Sequence, residues 1–359
     1  MRILITGNMG YVGPVVVAHL RQRFPAAEII GLDSGWFAGC LSTPGPLPET
    51  RLDTQHFADV RDVDASLLEG VDAVVHLAAV SNDPIGHRFE VATDAINRGA
   101  SLRLAGCAAA AGVRNFVFAS SCSVYGAAAQ GARREGDAVN PLTAYARSKI
   151  ATEDGLRQLD LGDMTVSCLR FATACGMSDR LRLDLVLNDF VACALSSGQI
   201  TVLSDGTPWR PLIDVRDMAR AIEWAVTRPP GAGGQMLTVN VGSDERNHRV
   251  RDLAAAVAAA LPGTGVSINT SAVSDARSYR VDFSLFRELA PQHQPATDLS
   301  GSIAALVDGL RAIAFSDAAF RQSDRLIRLN RLNTLLAGGW LAADLRWQPT
   351  VREALRGAA

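Results

Sequence analysis

The sequence predicts an α/β fold: an open, doubly wound parallel sheet with a smaller C-terminal substrate-binding lobe. Three observations carry this. Over the first 170 residues short apolar runs alternate with longer helical stretches, a glycine-rich turn follows the first run, and the rhythm changes after Gly176. Strands of about four to eight residues separated by helices of about ten or more imply parallel βαβ units with helices on both faces of the sheet.

RILIT (2–6) is a short apolar run ending in glycines, and a helix is expected from Val12 to Phe24. EIIGLD (28–33), DAVVHLAA (72–79), VRNFVFASS (113–121) and MTVSCLRF (164–171) read as further strands, with Ala- and Leu-rich helices over 94–111 and 146–159. Beyond Gly176, helices are expected over 183–197, 214–227 and 250–261. Strands are expected at QITVL (199–203) and MLTVNVG (236–242), with a short one near 266–270. DVRDMARAIEWAVT sets Met218, Ala219, Ile222 and Ala225 along one helical face. The helical stretches 303–315 and 325–339 close the chain. The leucine spacing of the last suits packing on its own domain better than a membrane surface or a coiled coil.

The composition narrows the function classes. With 359 residues, 48 % apolar and 20 % charged, the chain suits a soluble globular protein with a large core. Thirty-five basic against 37 acidic residues give a net charge of −2 and no electrostatic footprint for nucleic acid. Six cysteines and six histidines are scattered without ligand-like spacing, so no metal is expected. No apolar stretch reaches the ~18 residues needed to span a membrane. The N-terminal run is broken at once by glycines and reads as a buried strand, not a signal peptide, so the cytoplasm is the expected compartment.

Gly7, Gly10 and Gly13 sit at a strand-to-helix turn, where free amides and a close backbone suit a pyrophosphate. Asp33 closes the second strand 20 residues after Gly13, placed to accept ribose hydroxyls and to repel a 2′-phosphate. The pattern defines a Rossmann-type domain and favours NAD over NADP. Asp59 is a candidate for the adenine amino group or an ordinary loop acid. Ala78 and Ala79 end the next strand with small side chains, and Trp36 and Phe37 either cover the adenosine or pack under a loop. Residues 1–175 are therefore expected to form the NAD-binding domain with the catalytic residues. Residues 176–359 are expected to form mainly the lobe, with segments around 200–242 returning to the core sheet.

Tyr145 and Lys149 lie one helical turn apart on one face. A phenol whose pKa is lowered by Lys149 and an oxidised nicotinamide can exchange a proton with a sugar hydroxyl. SSCSVYG (120–126) follows a strand at the end that faces the ligand crevice of a parallel sheet. Ser121 can hold the substrate oxygen there, or cap the following turn.

Together, the glycine motif, Asp33, the Ser-x-x-x-Tyr-Gly segment and the Tyr-x-x-x-Lys helix resemble the extended short-chain dehydrogenase/reductase family, in its nucleotide-sugar epimerase/dehydratase branch, over nearly the whole chain. The resemblance implies a catalytic set of Ser121, Tyr145 and Lys149. It also implies a diphosphate contact at Arg210, within GTPWRPLIDVRDMARAI (206–222), and a second at Asn188. It places a substrate loop at SNDP (81–84), making Asn82 and Asp83 candidate sugar contacts. A nucleotide-diphosphate sugar is the implied partner and a homodimer, through helices 94–111 and 146–159, the implied assembly. Thr173 and Arg277 complete the candidate substrate residues.

The departures from the family narrow the reaction. Where sugar-nucleotide 4,6-dehydratases carry an acid pair, this chain has Cys122 and Ser123, which argues against 4,6-dehydration. Cys122 stays a candidate acid or base, or a packed thiol. The expected activity is NAD-dependent epimerisation of a nucleotide sugar, at C4 through a transient ketone. The alternatives are a 4-ketoreductase or dehydrogenase using the same residues and, in a different class, a catalytically silent NAD-binding regulatory protein.

Overall fold

Six of the expected strands, joined by one at 54–57 that was not expected, pair as a seven-stranded parallel sheet in the computed structural model, which describes residues 1–81, 83–272 and 277–349. The strands are β1 (Arg2–Thr6), β2 (Glu28–Asp33), β3 (Thr54–Phe57), β4 (Ala73–His76), β5 (Asn115–Ser121), β6 (Thr165–Phe171) and β7 (Met236–Val241). Their spatial order is β7-β6-β5-β4-β1-β2-β3. Every neighbouring pair runs parallel. The order reverses at β1, so a crevice opens beyond its C-terminal end between β1 and β4, the place where doubly wound sheets bind ligands.

Alternation along each strand divides the core in two. Ile3 and Ile5 of β1 join one cluster, with Val16 and Leu20 of helix Gly13–Arg23 and with helix Val215–Val226. Leu4 faces the opposite cluster, with Leu104 of helix Ser101–Ala110 and Leu156 of helix Ala144–Gln158. Both faces are thus covered, which is why these strands read as continuous apolar runs.

Of the stretch around 200–242, strand Met236–Val241 joins the edge of the large sheet. Gln199–Val202 instead pairs with Gly265–Ile268, and Trp209–Asp214 pairs with Thr173–Cys175 and Asn247–Arg249. Ala127–Arg133 pairs with Ser278–Val281.

Helix Arg328–Ala337 returns to the large sheet. Leu332 and Leu335 are buried in the same cluster as Leu4 and Trp36. Around it the C-terminal segment grips the loop after β2: Trp347 Nε1 donates to Ser34 O (2.6 Å) and Arg331 Nε to Trp36 O (3.2 Å). Among the described residues no helix is long and apolar enough to cross a membrane, and no His/Cys/Asp/Glu cluster forms a metal site.

Candidate active site

One cavity of about 670 Å³ lies beyond the C-terminal ends of the strands, reaching from Asp33, Trp36 and Phe37 past the glycine turn to Tyr145 and Lys149. The turn is folded as tightly as it can be. Gly7 has φ +76°, and a Cβ there would lie 2.5 Å from Ala78 N. A Cβ on Gly13 would lie 2.2 Å from Asn8 O. These cramped positions, with Gly10, Ala78 and Ala79 also in the wall, leave a backbone-lined cradle that fits a dinucleotide.

Asp33 also lines the cavity. Its carboxylate accepts from Met9 N (3.0 Å) and Gly35 N (2.8 Å), while burial raises its pKa. Asp59 lines the same end but is held by Arg61, whose Nε and Nη2 reach its two oxygens at 2.9 and 2.6 Å.

At the other end the polar side chains of 120–125 each have a separate job. Ser120 Oγ donates to Glu153 (2.5 Å), a fully buried carboxylate that also holds Arg170. Ser121 is hydrogen-bonded to Tyr145 and also accepts from Ser123 N (3.1 Å), so the capping and phenol contacts belong to one hydroxyl. Tyr125 OH donates to Asn240 Oδ1 (2.7 Å). Ser123 lines the cavity with its buried hydroxyl unpartnered among the described residues.

Cys122 must be corrected. It is 0 % exposed, does not line the cavity, and its thiol donates to Arg170 O (3.0 Å) while burial pushes its pKa up. At the start of a 3-10 turn, it faces the core while Ser121 and Ser123 face the cavity.

Tyr145 stands near Lys149, whose Nζ is 5.6 Å from the phenol ring centroid and donates to Ala119 O (2.7 Å). The protein's own groups do not lower the phenol pKa as expected. Desolvation raises it to about 12, against the Ser121 hydrogen bond and the charge of Arg182. Lys149 moves the other way, lowered by burial to about 8, with Glu153 opposing the shift. Tyr145 is therefore neutral at pH 7, and Lys149 is cationic but poised.

On the substrate side, Thr173 and Arg210 line the cavity. Arg277 also lines it and forms an ion pair with Asp83 (2.5 Å), so the expected sugar-contacting acid is already engaged by the arginine. Asn82 lies outside the described residues. Asn188 is a second correction. It is fully buried and away from the cavity, donating to Tyr11 OH (3.1 Å) and Arg182 O (2.9 Å) and accepting from Gly176 N (3.0 Å). It braces the loop after Gly176 rather than reaching a ligand.

Sequence reasoning missed Tyr279 and Arg182. Tyr279 is buried in the cavity wall and hydrogen-bonded to Thr173. Arg182 forks onto Asp184 (2.9 and 2.8 Å) and donates to Ser81 Oγ (3.0 Å). Tyr279 lies two residues after Arg277, already a candidate, so alternation along a strand was a usable signal. Arg182 gave none.

Five carboxylates line the cavity among the described residues, and each has a partner. Asp33 takes backbone amides, Asp59 takes Arg61, Asp83 takes Arg277, Asp184 takes Arg182, and Asp189 takes Arg321.

A doubly wound sheet with a glycine cradle, an acid on the second strand and a Ser-Tyr-Lys corner defines a dinucleotide-dependent enzyme of the short-chain dehydrogenase type. Residues 3–242 match the NAD dependent epimerase/dehydratase family, and the chain belongs to it. Its cofactor is NAD.

Among its relatives, the uncharacterized UDP-glucose epimerase YtcB of Bacillus subtilis is 30 % identical over 68 % of this chain and 78 % of its own length. The UDP-glucose 4-epimerase of Mycolicibacterium smegmatis is 28 % identical over 87 % of this chain and 99 % of its own. Among solved structures, the NDP-hexosamine 5,6-dehydratase TunA superposes with a TM-score of 0.75 at 23 % identity, covering 89 % of this chain and 99 % of that one. The UDP-glucose-4-epimerase of Stenotrophomonas maltophila, with NAD and a formylated UDP-arabinopyranose, gives 0.73 at 24 %, covering 88 % and 99 %. The chain is thus an enzyme of the nucleotide-sugar epimerase/dehydratase group, with the fold of both branches.

Proposed function

We propose that this protein epimerises a nucleotide-diphosphate sugar at C4 through a transient ketone. One observation carries the choice within the family: every carboxylate in the described cavity wall is already paired, leaving Tyr145 as the proton-exchanging group. Dehydration removes a proton from a carbon, for which a free carboxylate suits. Moving a hydroxyl proton needs only the phenol.

When bound, NAD supplies the acceptor, and later the donor, of the sugar hydride. Ser121 holds the C4 oxygen against Tyr145. Tyr145, neutral in the protein alone, would act as its phenolate beside the added charge of the oxidised dinucleotide: it takes the hydroxyl proton as the carbonyl forms and gives it back after the sugar turns. Lys149, cationic at pH 7, would together with the positive charge of the oxidised dinucleotide favour the phenolate that starts the exchange; while it holds the proton Tyr145 is a neutral phenol. Asp33 holds the adenosine ribose, and Arg210 and Thr173 lie on the substrate side. A homodimer through the helices 94–111 and 146–159 belongs to the same reading, and light scattering tests it.

The experiment denatures freshly purified protein to identify the released dinucleotide, then incubates native protein with a panel of nucleotide sugars in deuterated water. Bound NAD, an inverted C4 centre, no net NADH and no deuterium at C5 support the proposal. A protein that needs added NAD(P)H and consumes it with a 4-keto sugar is a reductase. Deuterium at C5 with loss of the C6 oxygen would make it a dehydratase.

A further inference from the structure

Three arginines are buried where the loop after Gly176 meets helix Arg328–Ala337. Arg180, Arg182 and Arg328 are 1 %, 5 % and 2 % exposed. Two of them own a carboxylate: Arg180 reaches Glu49 (2.6 and 3.1 Å), and Arg182 forks onto Asp184. No carboxylate among the described residues forms an ion pair with Arg328, which lines the cavity. Its Nη1 donates to Arg325 O (3.1 Å) and its Nη2 to Arg180 O (2.7 Å), and its guanidinium carbon lies 4.9 Å from the Phe37 ring centroid. Burial, with the charges of Arg182 and Arg180, lowers its pKa to about 10, against a smaller opposing effect of Cys40 and of Asp184, a carboxylate already forked by Arg182.

A guanidinium taken out of water without an ion-paired carboxylate of its own is costly, and a bound anion relieves that cost. The surroundings indicate which anion. Phe37, beneath Arg328, lies in the loop that follows Asp33. The charge of Arg180 is felt at Asp33 itself. The loop carrying Arg180 and Arg182 is tied to the glycine turn, since Ser178 Oγ donates to Tyr11 O (2.6 Å) and Tyr11 OH to Gly176 O (2.6 Å).

We infer that Arg328 binds the pyrophosphate bridge of the dinucleotide, from a C-terminal segment outside the family-matched residues 3–242. Its planar fork matches phosphate oxygens. The glycine turn then supplies the amides and Arg328 the positive charge. The inference rests on the NAD cofactor and not on the C4 reading.

A diphosphate could also come from the nucleotide sugar, and the test separates the two sources. In the full-length holoprotein, bound NAD is exchanged against a fluorescent ethenoadenine analogue, and UDP is titrated onto the same NAD-loaded protein. Arg328→Gln is expected to speed exchange about ten- to a hundred-fold, with UDP affinity unchanged within about two-fold. Arg328→Lys, which keeps charge without the fork, falls between wild type and Arg328→Gln.

Unchanged exchange overturns the inference. Equal acceleration in both variants does so too, because packing over Phe37 rather than charge would then hold the segment. Weakened UDP binding with unchanged NAD exchange moves the contact to the substrate and also overturns it. If Arg328→Gln does not fold, hydrogen–deuterium exchange on NAD-depleted wild type decides. Amides of 328–332 must be slowed more by ADP than by adenosine, and equal protection counts against the inference.

Discussion

Replacing Lys149 by methionine tests the electrostatics of the proposed catalytic corner through stability as well as through rate. Lys149 is 3 % exposed, and burial lowers its pKa from 10.5 to about 8. Keeping the ammonium charged in the fold therefore costs about 3 kcal/mol relative to the unfolded chain. Between pH 8 and 10.5 the unfolded chain holds the proton that the folded protein has released, so unfolding takes up a proton and stability rises with pH. The penalty is fully present below about pH 8 and fades towards 10.5.

Methionine has the length without the charge. Denaturant unfolding of dinucleotide-free wild type and Lys149→Met, at pH 7 and pH 9.5, should show wild type gaining about 2 kcal/mol on the variant over that range. The lost hydrogen bond to Ala119 O shifts the variant equally at both pH values and cancels. Other titrating groups cancel likewise. In parallel, turnover of the variant at pH 7 should fall about 10²- to 10³-fold. Parallel stability curves would mean that Lys149 carries no burial penalty, and the account of a poised ammonium would fail.

Three further changes probe the cradle, the thiol and a buried histidine. Gly13→Ala puts a methyl 2.2 Å from Asn8 O, so NAD affinity should fall at least about ten-fold in a fluorescence titration, and undiminished affinity would contradict the cramped turn. Cys122→Ala should cost about 1–2 kcal/mol in denaturant unfolding yet keep turnover within about two-fold, and lost turnover with NAD retained would return the thiol to the chemistry. His76 lies between Thr6 Oγ1 (2.6 Å) and Ser101 Oγ (2.7 Å), and burial lowers its pKa from 6.5 to about 3. Its neutral form stabilises the fold above pH 6.5 and loses that advantage as pH falls towards 3. Wild type should therefore lose about 2 kcal/mol more than His76→Gln between pH 7 and 5, and identical acid limbs would refute this.

Much of the cofactor half was legible because its signals are local. A strand, three glycines at fixed spacing and an acid 20 residues on fall within one βαβ unit, where sequence distance and spatial distance agree. Tyr145 and Lys149 share one helix turn for the same reason. Cys122 was misjudged because β5 ends at Ser121 and the next four residues form a 3-10 turn, whose period differs from the strand's. Asn188 was misplaced because its partners, Tyr11 and Arg182, come from other segments. The strands Ala127–Arg133 and Trp209–Asp214 were not foreseen. AAAQGAR lacks β-branched residues, and WRPLID contains a proline, which removes a backbone donor. Arg328 left no trace in periodicity, since its importance lies in what two neighbouring arginines have and it lacks.

The pairing of charges separates holding from chemistry. A cavity meant to pull a proton from carbon needs a basic carboxylate facing the sugar, and desolvation without a partner is the ordinary means of raising such a pKa. In the described wall the carboxylates are engaged by arginines or amides. Against burial, Arg182 holds Asp184 below its ordinary value, while burial still raises Asp33 and Asp189 against their partners. Their lone pairs are already committed to amides and guanidiniums, which suits them to fixing loops. The corner at Ser121, Tyr145 and Lys149 differs in kind: from nearly equal ordinary values the phenol is raised to about 12 and the ammonium lowered to about 8, so burial drives the two apart. Proton exchange is favoured when donor and acceptor are matched, and raising the phenol moves it towards the weakly acidic sugar hydroxyl. With Ser123 offering only a hydroxyl and Cys122 turned into the core, nothing at the adjacent positions supplies the acid–base pair that expelling a second oxygen would demand. Under the proposed reading, chemistry confined to one carbon, oxidised and then reduced, asks no more of this wall than Ser121, Tyr145 and Lys149 supply.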